Sequence, residues 1–412
     1  MSQTRRGIPV STLFLLSVIP GGTLFFYILP ALLSYLINGD NYSLEMLIIS
    51  TVSVAFFILV LLSNFDRLLL PYIPKKFYID LASVSKIIIV TYSILMLYTA
   101  ITAPSIPLLD ALRGSSIDVI SNGRETFLRT RTGWESLLNY FFAMYRSILM
   151  PFAICWLFYI KSNWRFTSVL IFLMTLLLTL EKSVCVIALI PLFFLFFQIK
   201  PKIARRILYV TILLVAATSF LARGGVSTDT GSSDLSYVPT QYNMFKSDSQ
   251  IFYVLNRVLF IPYATSVDWL RYRDVKLGGK ELMGRNISIV AALNGEEKIN
   301  IEREVFAFQW GQNESGTGSA NTSYFIDAYI NWGVLGVLLY NLIIVFIIRV
   351  SIRSDIFVIK ACTFVPLIFL LFNSLSAMLF SGGLFILLFI GLFLFDPTQY
   401  ERGRMNRIRV GD

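Results

Sequence analysis

The chain has 412 residues, of which 56% are hydrophobic and 15% are charged, and its formal net charge is +10. A soluble domain is about half apolar and about a quarter charged, so both fractions argue against a soluble protein. The sequence contains no histidine, which removes the usual metal ligand and the usual general base at neutral pH. Because Cys155, Cys185 and Cys362 all fall in apolar runs, no disulfide or metal framework is indicated.

Apolar runs of membrane-spanning length recur along the chain and predict an all-α polytopic membrane protein with about ten transmembrane helices. The first run is too long for a cleaved signal peptide and lacks a small-residue cleavage site. The predicted spans are residues 12–37, 44–63, 80–103, 137–160, 166–180, 184–198, 207–222, 325–349, 358–379 and 382–396.

Lysine and arginine alternate between the two ends of these spans. Basic residues follow the second, fourth, sixth and eighth spans and close the chain, whereas the short loops at 38–43 and 380–383 carry none. By the positive-inside rule, both termini are cytoplasmic and the polar segments 104–136 and 223–323 are extracytoplasmic. Topology therefore explains the net charge better than nucleic-acid binding does.

This orientation predicts three regions. Residues 1–222 hold transmembrane helices 1–7 with an Arg-rich outer loop at 104–136, residues 223–323 form a large outer loop, and residues 324–412 hold helices 8–10 and a basic cytoplasmic tail. The large loop is predicted to be partly helical, with an amphipathic helix that Pro262 ends and a second one around 281–293.

The fifth and sixth spans are short, at about 22 Å each against about 30 Å of hydrocarbon. Glu181, Lys182 and Ser183 separate them. Such a pair can line a cavity, with Lys182 facing water. The alternative is a tight outer hairpin whose charged side chains reach the lipid headgroups.

Arginines cluster in the first outer loop and one lies inside a span. Arg124, Arg129 and Arg131 fall within eight residues, and Arg is suited to bidentate contacts with phosphate. Attraction to anionic lipid or simple solvation explains the cluster equally well. Arg146 lies in the fourth apolar run, where a charge faces the bundle interior or water, or forms a structural ion pair.

The chain resembles the bacterial O-antigen or oligosaccharide repeat-unit polymerases of the Wzy type. The resemblance lies in the number of spans, in the first outer loop ending Arg-Thr-Arg-Thr-Gly133, and in the large loop between later spans. The stretch Asn321-Thr-Ser-Tyr-Phe-Ile-Asp-Ala-Tyr-Ile-Asn-Trp-Gly-Val-Leu-Gly336 is also similar to the family's small-polar and aromatic entry into a span.

The resemblance implies a GT-C-like, metal-independent glycosyltransferase of the bacterial inner membrane, without a cofactor. It would transfer a growing glycan from undecaprenyl pyrophosphate to the next lipid-linked repeat unit, with a chain-length regulator as a possible partner. Without histidine, a carboxylate would accept the proton of the sugar hydroxyl; the candidates are Glu304, Glu302 and Asp327. The candidates for binding pyrophosphate are Arg124, Arg129, Arg131, Arg146, Lys182, Arg223, Arg257 and Arg303. Those for stacking against sugar rings are Tyr324, Trp310 and Trp332.

Three other classes of function stay open. An O-antigen ligase is disfavoured because that related family carries an essential histidine in the equivalent loop, although a carboxylate could replace it. A transporter or flippase for lipid-linked glycans would place more charge deep in its spans. A non-catalytic membrane scaffold or signalling receptor is the third class.

Overall fold

A computed structural model describes residues 10–63, 77–128, 131–180, 182–221, 259–310, 318–354 and 356–395. Nearly all of this part of the chain is helical. The helices are α1 (Val10–Thr23), α2 (Leu29–Asn38), α3 (Asn41–Leu62), α4 (Leu81–Thr102), α5 (Pro107–Leu112), α6 (Ile117–Leu128), α7 (Ser136–Met144), α8 (Met150–Tyr159), α9 (Arg165–Thr179), α10 (Lys182–Ile199), α11 (Pro201–Leu221), α12 (Ile261–Lys276), α13 (Ser288–Leu293), α14 (Ile301–Trp310), α15 (Tyr324–Arg353), α16 (Phe357–Leu370), α17 (Leu375–Leu379) and α18 (Leu384–Phe393).

Strand pairing in the described residues is confined to two dipeptides. Phe77–Tyr78 (β1) and Leu394–Phe395 (β2) form a parallel pair in which Phe77 lies opposite Leu394. A pair this short contributes little to the fold, so the prediction of an all-α protein is confirmed.

Five helical stretches of the described chain are long and apolar enough to cross a membrane: Thr12–Asn38, Asn41–Leu62, Leu81–Thr102, Gly133–Tyr159 and Tyr324–Arg353. The described chain also contains shorter apolar helices, among them Arg165–Thr179, Phe357–Leu370 and Leu384–Phe393. The protein is therefore membrane-embedded. The number of about ten spans and the assignment of termini and loops to the two sides stay predictions.

Two of the long stretches contain a π-helical turn, and each turn precedes a proline. Leu24–Ile28 is followed by Pro30, and Tyr145–Leu149 is followed by Pro151. Because proline lacks an N–H and crowds the preceding turn, it disturbs the regular hydrogen-bond ladder. A local π-turn lets the helix continue past it.

A tight turn joins α2 to α3. Gly39 ends α2 with a positive φ of 65°, a conformation that glycine adopts without steric cost. Asp40 then caps α3 by accepting a hydrogen bond from the Ser43 backbone N–H at 3.2 Å. The turn therefore places the Asp40 carboxylate at the end of the bundle where the large loop packs.

Helix α15 is bent inside its apolar run. Trp332 (φ −143°, ψ 23°) and Gly333 (φ 59°, ψ −150°) leave the helical conformation. The bend brings Gly336 against Ala328, since a Cβ atom on Gly336 would lie 2.3 Å from the Ala328 carbonyl oxygen. The Trp-Gly-Val-Leu-Gly sequence thus builds a kink rather than a simple entry into a span.

Two further sequence predictions need correction. The ninth predicted span, 358–379, is two helices, because α16 ends at Leu370 and α17 begins at Leu375 after a Ser374 cap. Pro262 does not end a helix: it lies in the first turn of α12, where its missing N–H needs no partner.

The bundle core is built around α15, which packs on α3, α16 and α18. Two buried hydrogen bonds in this core link α15 to α3. Tyr324 Oη donates to Asn341 Oδ1 at 3.0 Å, and Asn341 Nδ2 donates to Ser53 Oγ at 3.0 Å. Buried polar groups that are mutually hydrogen-bonded fix the register of the packed helices.

Candidate functional site

The segment 281–287 packs against the kink of α15 and takes over the hydrogen bonds that the kink breaks. The Leu282 N–H donates to the Ile330 carbonyl at 3.0 Å, and the Met283 N–H donates to the Asn331 carbonyl at 2.9 Å. The Gly284 N–H donates to Asn331 Oδ1 at 3.1 Å. Irregular backbone at a membrane helix is tolerated where protein satisfies it, and here the large loop does so.

A fully buried carboxylate lies one turn before the kink. Asp327 is 0% exposed. Its Oδ1 atom accepts hydrogen bonds from Asn286 Nδ2 at 2.7 Å and from Asn331 Nδ2 at 3.2 Å. The Tyr340 side chain, beyond the kink, also faces the carboxylate. The large loop and the two halves of α15 thus converge on one acidic side chain.

Glu302, in the first turn of α14, lies close enough to Asp327 for the two carboxylates to interact electrostatically. Its Oε2 atom accepts a hydrogen bond from Ser319 Oγ at 3.1 Å. Asn321 Nδ2 donates to Asn373 Oδ1 at 3.2 Å, in the break between α16 and α17. Burial raises the pKa of Glu302, while the Ser319 hydroxyl and the Lys298 charge limit the rise.

We call this set of side chains the polar cluster. Its members are Asn286, Glu302, Ser319, Asn321, Asp327, Asn331, Tyr340 and Asn373. Carboxylates, amides and hydroxyls in such a set can accept and donate hydrogen bonds to a hydroxyl-rich ligand. A carboxylate whose pKa is raised can also remove a proton near neutral pH.

A second group of charges on α12 was not among the predicted site residues. Asp268 is buried and accepts a hydrogen bond from Gln309 Nε2 at 3.1 Å, and Arg271 Nη1 lies 3.5 Å from Asp268 Oδ1. Burial raises the pKa of Asp268 to about 6, and Gln309 and Arg271 limit the rise.

Arg271 and a second arginine of α12, Arg273, contact the turn between α2 and α3. Arg271 Nη2 lies 3.4 Å from Asp40 Oδ2, and Arg273 Nη1 lies 3.0 Å from Glu45 Oε1. Arg273 also pairs with Asp274 at 2.7 Å and lies over the Tyr329 ring. Burial lowers the pKa of Arg273, but hydrogen bonds to Asp274 and Tyr329 and the Glu45 charge raise it by more.

The sequence did carry a signal for these pairs. Asp40 and Glu45 are acidic residues beside the loop 38–43, which charge patterning assigns to the same side as the large loop. The contacts of Arg271 and Arg273 with them show that the turn and the large loop do meet at one end of the bundle.

An open groove of about 390 Å³ runs beside this ion-pair group, between α3 and the kink. Its walls are mainly aliphatic, and its polar members are Asn41, Glu45 and Tyr329. Tyr329 Oη donates to Glu45 Oε1 at 2.9 Å. The groove thus has an apolar floor and one polar end.

The other two predicted residues of α14 lie on its exposed side. Glu304 accepts a hydrogen bond from the Tyr272 hydroxyl, and Arg303 is exposed. Burial, then the neighbouring Glu304 carboxylate, raises the pKa of Tyr272. Of the two glutamates, Glu302 therefore faces the polar cluster and Glu304 faces outward.

The Arg131 guanidinium is occupied by contacts within the protein. It pairs with Glu135 at 3.0 Å and donates to the backbone carbonyls of Thr99 and Phe127. Its side chain is 5% exposed. Arg131 therefore clamps the first outer loop to the end of α4, and its contact with pyrophosphate stays a prediction.

Arg124 and Arg146 are also largely enclosed. Arg124 lies on α6, with Nε and Nη2 buried and without hydrogen bonds in the described chain. Arg146 is buried in the π-turn of the Gly133–Tyr159 stretch and its guanidinium lies 5.8 Å from the Phe142 ring centroid. A position facing the bundle interior was among the possibilities that the sequence left open for Arg146.

Several predicted residues lie outside the part that can be described: Arg129, Arg223 and Arg257, and the side chains of Lys182 and Trp310. A cavity lined jointly by the arginines of both outer loops therefore stays a prediction. Of the aromatic candidates, Trp332 lies at the kink, edge-on to Tyr340 with ring centroids 5.8 Å apart. Tyr324 is 0% exposed, and its stacking against a sugar stays a prediction.

Among the described residues, no set of three or more cysteine, aspartate or glutamate side chains is arranged to hold a metal ion. In comparisons with known proteins, no protein-family model, no characterised protein and no solved structure matches the chain.

Proposed function

We propose that this protein is a glycosyltransferase of the bacterial inner membrane that polymerises lipid-linked oligosaccharide repeat units. The donor would be a glycan on undecaprenyl pyrophosphate and the acceptor the next lipid-linked unit. The product would be O-antigen or a related surface polysaccharide, made on the outer face of the membrane.

The observation that supports this proposal most is the polar cluster beneath the large loop. Two interacting carboxylates, Glu302 and Asp327, lie among amide and hydroxyl side chains. They lie at the end of a predicted span that charge patterning assigns to the outer side. A sugar acceptor requires hydrogen-bonding partners for its hydroxyls and a base for the attacking hydroxyl. The cluster offers both kinds of group in one place.

Glu302 is the better candidate for the base. Its raised pKa brings it closer to neutral, and a base works best when its pKa is near the working pH. Its carboxylate accepts a hydrogen bond from Ser319 and Glu302 is only partly buried, whereas Asp327 is fully enclosed. In the proposed reaction Glu302 takes the proton of the acceptor hydroxyl as that oxygen attacks the donor's anomeric carbon, and the lipid pyrophosphate leaves.

The leaving pyrophosphate requires positive charge nearby. Arg303, next to Glu302 in sequence but on the exposed side of α14, stays a candidate for this role. Arg271 and Arg273 are already paired with carboxylates, and Arg131 is a clamp. Arg257 and Arg223 stay candidates from the sequence.

Variants of Glu302 and Glu297, expressed in cells that lack the chromosomal gene, test the proposal. Wild-type protein should restore a ladder of surface glycan. Glu302→Gln should reduce polymer about 10²–10⁴-fold, the usual contribution of a general base, at normal protein level. The matched control is Glu297→Gln, which makes the same change on an exposed loop and should restore the ladder. A normal ladder from Glu302→Gln would refute this assignment.

A second candidate function is transport of the lipid-linked glycan. The observation that favours it is the broken helix α15, whose kink lies beside the buried Asp327. Transporters place discontinuous helices and ionisable groups along their substrate path. Single repeat units that accumulate unlinked on the outer face in gene-deleted cells would support the polymerase. Accumulation on the cytoplasmic face would support transport.

A further inference from the structure

The open groove between α3 and α15 follows one stripe of α3. Its volume of about 390 Å³ lies within the range of roughly 300–1,000 Å³ that is typical of ligand sites. Because side chains three and four residues apart share a face of a helix, the α3 side of the groove runs parallel to the helix axis. The residues of this stripe are Asn41, Leu44, Glu45, Ile48, Ile49 and Val52.

The kinked helix α15 forms the opposite wall. Tyr329 lies before the kink, and Val334 and Val337 lie after it. From Asn41 to Val52 the groove extends about 16 Å along α3 at 1.5 Å per residue, which is about half of the roughly 30 Å of hydrocarbon in a bilayer. The groove is therefore as long as one leaflet is deep.

The sides of the groove face out of the bundle, whereas its floor is closed. Ile48 and Val334 are 55% and 53% exposed, and Ile49 and Val337 are 5% and 1% exposed. In a membrane-embedded protein, exposed aliphatic side chains contact hydrocarbon. A concave aliphatic surface that stayed empty would lose dispersion contacts, so a lipid chain is the occupant that suits this part of the groove.

The ion-pair group lies at the polar end of the groove. Glu45 lines the groove, accepts a hydrogen bond from Tyr329, and pairs with Arg273. Because charge is costly in hydrocarbon, this end lies at the level of the lipid headgroups. The group contains two guanidiniums and four carboxylates, an excess of two negative charges: Arg271, Arg273, Asp40, Glu45, Asp268 and Asp274.

Three of these carboxylates can be reached from outside the protein. The side chains of Asp40 and Glu45 are each 26% exposed, and that of Asp274 is 36% exposed. The Arg271 side chain is 35% exposed. A headgroup at this end of the groove thus meets accessible negative charge together with one accessible guanidinium.

We propose that the groove binds one phosphatidylethanolamine molecule, with an acyl chain between α3 and α15 and the ammonium on the exposed carboxylates. A primary ammonium donates three hydrogen bonds, and those to carboxylates are charge-assisted. The lipid phosphate would contact Arg271. Phosphatidylglycerol brings no cation to the excess negative charge, and the quaternary ammonium of phosphatidylcholine has no N–H to donate.

This inference does not depend on the proposed reaction, since a transferase and a transporter would both use such a lipid. The bound chain would fill the space beside the kink, where Trp332 and Gly333 leave the helical conformation. It would therefore stabilise the bent form of α15 against α3.

Lipid binding can be measured by native mass spectrometry on the full-length protein purified in mild detergent. The wild-type protein should retain one phosphatidylethanolamine per chain. In titrations of delipidated protein with lipids of identical acyl chains, phosphatidylethanolamine should bind about tenfold more tightly than phosphatidylglycerol, the effect of one charge-assisted hydrogen bond. Absence of a retained phospholipid, equal or tighter binding of phosphatidylglycerol, or a polyprenyl lipid in its place would overturn the proposal.

Variants assign the lipid chain to the groove. Ile48→Trp and Val334→Trp, each at an exposed position on one side, should fill the groove and weaken phosphatidylethanolamine binding by about tenfold or more. The matched control is Ile94→Trp on α4, where the isoleucine is 61% exposed, and it should bind like the wild type. Wild-type binding by folded Ile48→Trp and Val334→Trp would overturn the proposal.

A further variant tests the headgroup. Glu45→Gln removes one negative charge and keeps an oxygen that can accept from Tyr329, so it should reduce the preference for phosphatidylethanolamine over phosphatidylglycerol while the protein stays folded. This measurement decides if both tryptophan variants fail to fold. An unchanged preference in Glu45→Gln would contradict the assignment of the ammonium to this end of the groove.

Discussion

Asn286 Nδ2 donates a 2.7 Å hydrogen bond to the buried carboxylate of Asp327, 41 residues further along the chain. The bond joins the large loop to a helix long and apolar enough to span a membrane. Because the same loop segment also satisfies the backbone of the kink, this part of the loop is a structural component of the bundle. Changes at either residue should therefore affect stability as well as activity.

Asn286→Ala should lower the free energy of unfolding by about 1–3 kcal/mol, the usual cost of removing one partner of a buried hydrogen bond. The cause is the loss of a donor to a fully buried carboxylate. Thermal unfolding in nanodiscs measures the loss. Asn294→Ala, on the exposed end of α13, is the control and should be nearly neutral. Equal Tm values for the two variants would contradict a bracing role for Asn286.

Gly333→Ala should destabilise the protein by about 1–3 kcal/mol, because its backbone lies in a region that only glycine adopts readily. A Cβ atom would also lie 2.4 Å from Glu281 Oε1. The double variant Gly333→Ala, Glu281→Ala removes the collision but keeps the backbone strain, so it should recover only part of the loss. Gly21→Ala, where a Cβ atom meets nothing within 4 Å, is the matched control. A Gly333→Ala variant as stable as Gly21→Ala would argue against the kink.

The buried Asp268 should make stability depend on pH. Its pKa is about 6 in the folded protein and about 3.9 in an unfolded chain. Between these values the folded state binds more protons, so the free energy of unfolding falls as pH rises from about 4 to about 6. Two pKa units correspond to at most about 3 kcal/mol. The contribution is fully present below about pH 4 and is lost above about pH 6.

Asp268→Asn cannot titrate and should flatten this part of the profile. Tm measured from acid to neutral pH should fall less steeply for the variant than for the wild type, and Glu297→Gln should follow the wild type. Parallel profiles for Asp268→Asn and the wild-type protein would show that Asp268 does not carry the dependence.

Arg131→Ala should lower protein level and Tm, because it removes an ion pair and two contacts to backbone carbonyls, at a cost of about 2–3 kcal/mol. Arg131→Lys should recover little, since an ammonium cannot span the same set of acceptors. Arg303→Ala, on the exposed side of α14, should keep protein level and Tm while reducing polymer. Normal levels and Tm for Arg131→Ala would contradict the clamp and favour Arg131 as a ligand of pyrophosphate.

The membrane fold was predictable from the sequence because a span needs only a long apolar run. The kink at Gly333 and the break at residues 371–374 were not, since both lie within apolar runs and depend on partners far away in sequence. Tyr27, for example, donates to the Leu371 carbonyl in that break.

The sequence predicted that carboxylates would form the site, but not which arginines lie near them. Carboxylates follow from the absence of histidine, and Glu302 and Asp327 do lie together. Charge spacing alone could not separate Arg131, which clamps a loop, from Arg303, which is exposed. It also missed Arg273, because its partner Glu45 lies more than two hundred residues earlier.

The most direct test of the proposed function uses purified protein in liposomes with lipid-linked single repeat units extracted from gene-deleted cells. Wild-type protein should convert these units into a ladder of longer glycans without added metal. Glu302→Gln, folded to the same extent, should yield almost none. Repeat units that stay single with folded wild-type protein, or that only cross the membrane unlinked, would refute the proposed polymerase.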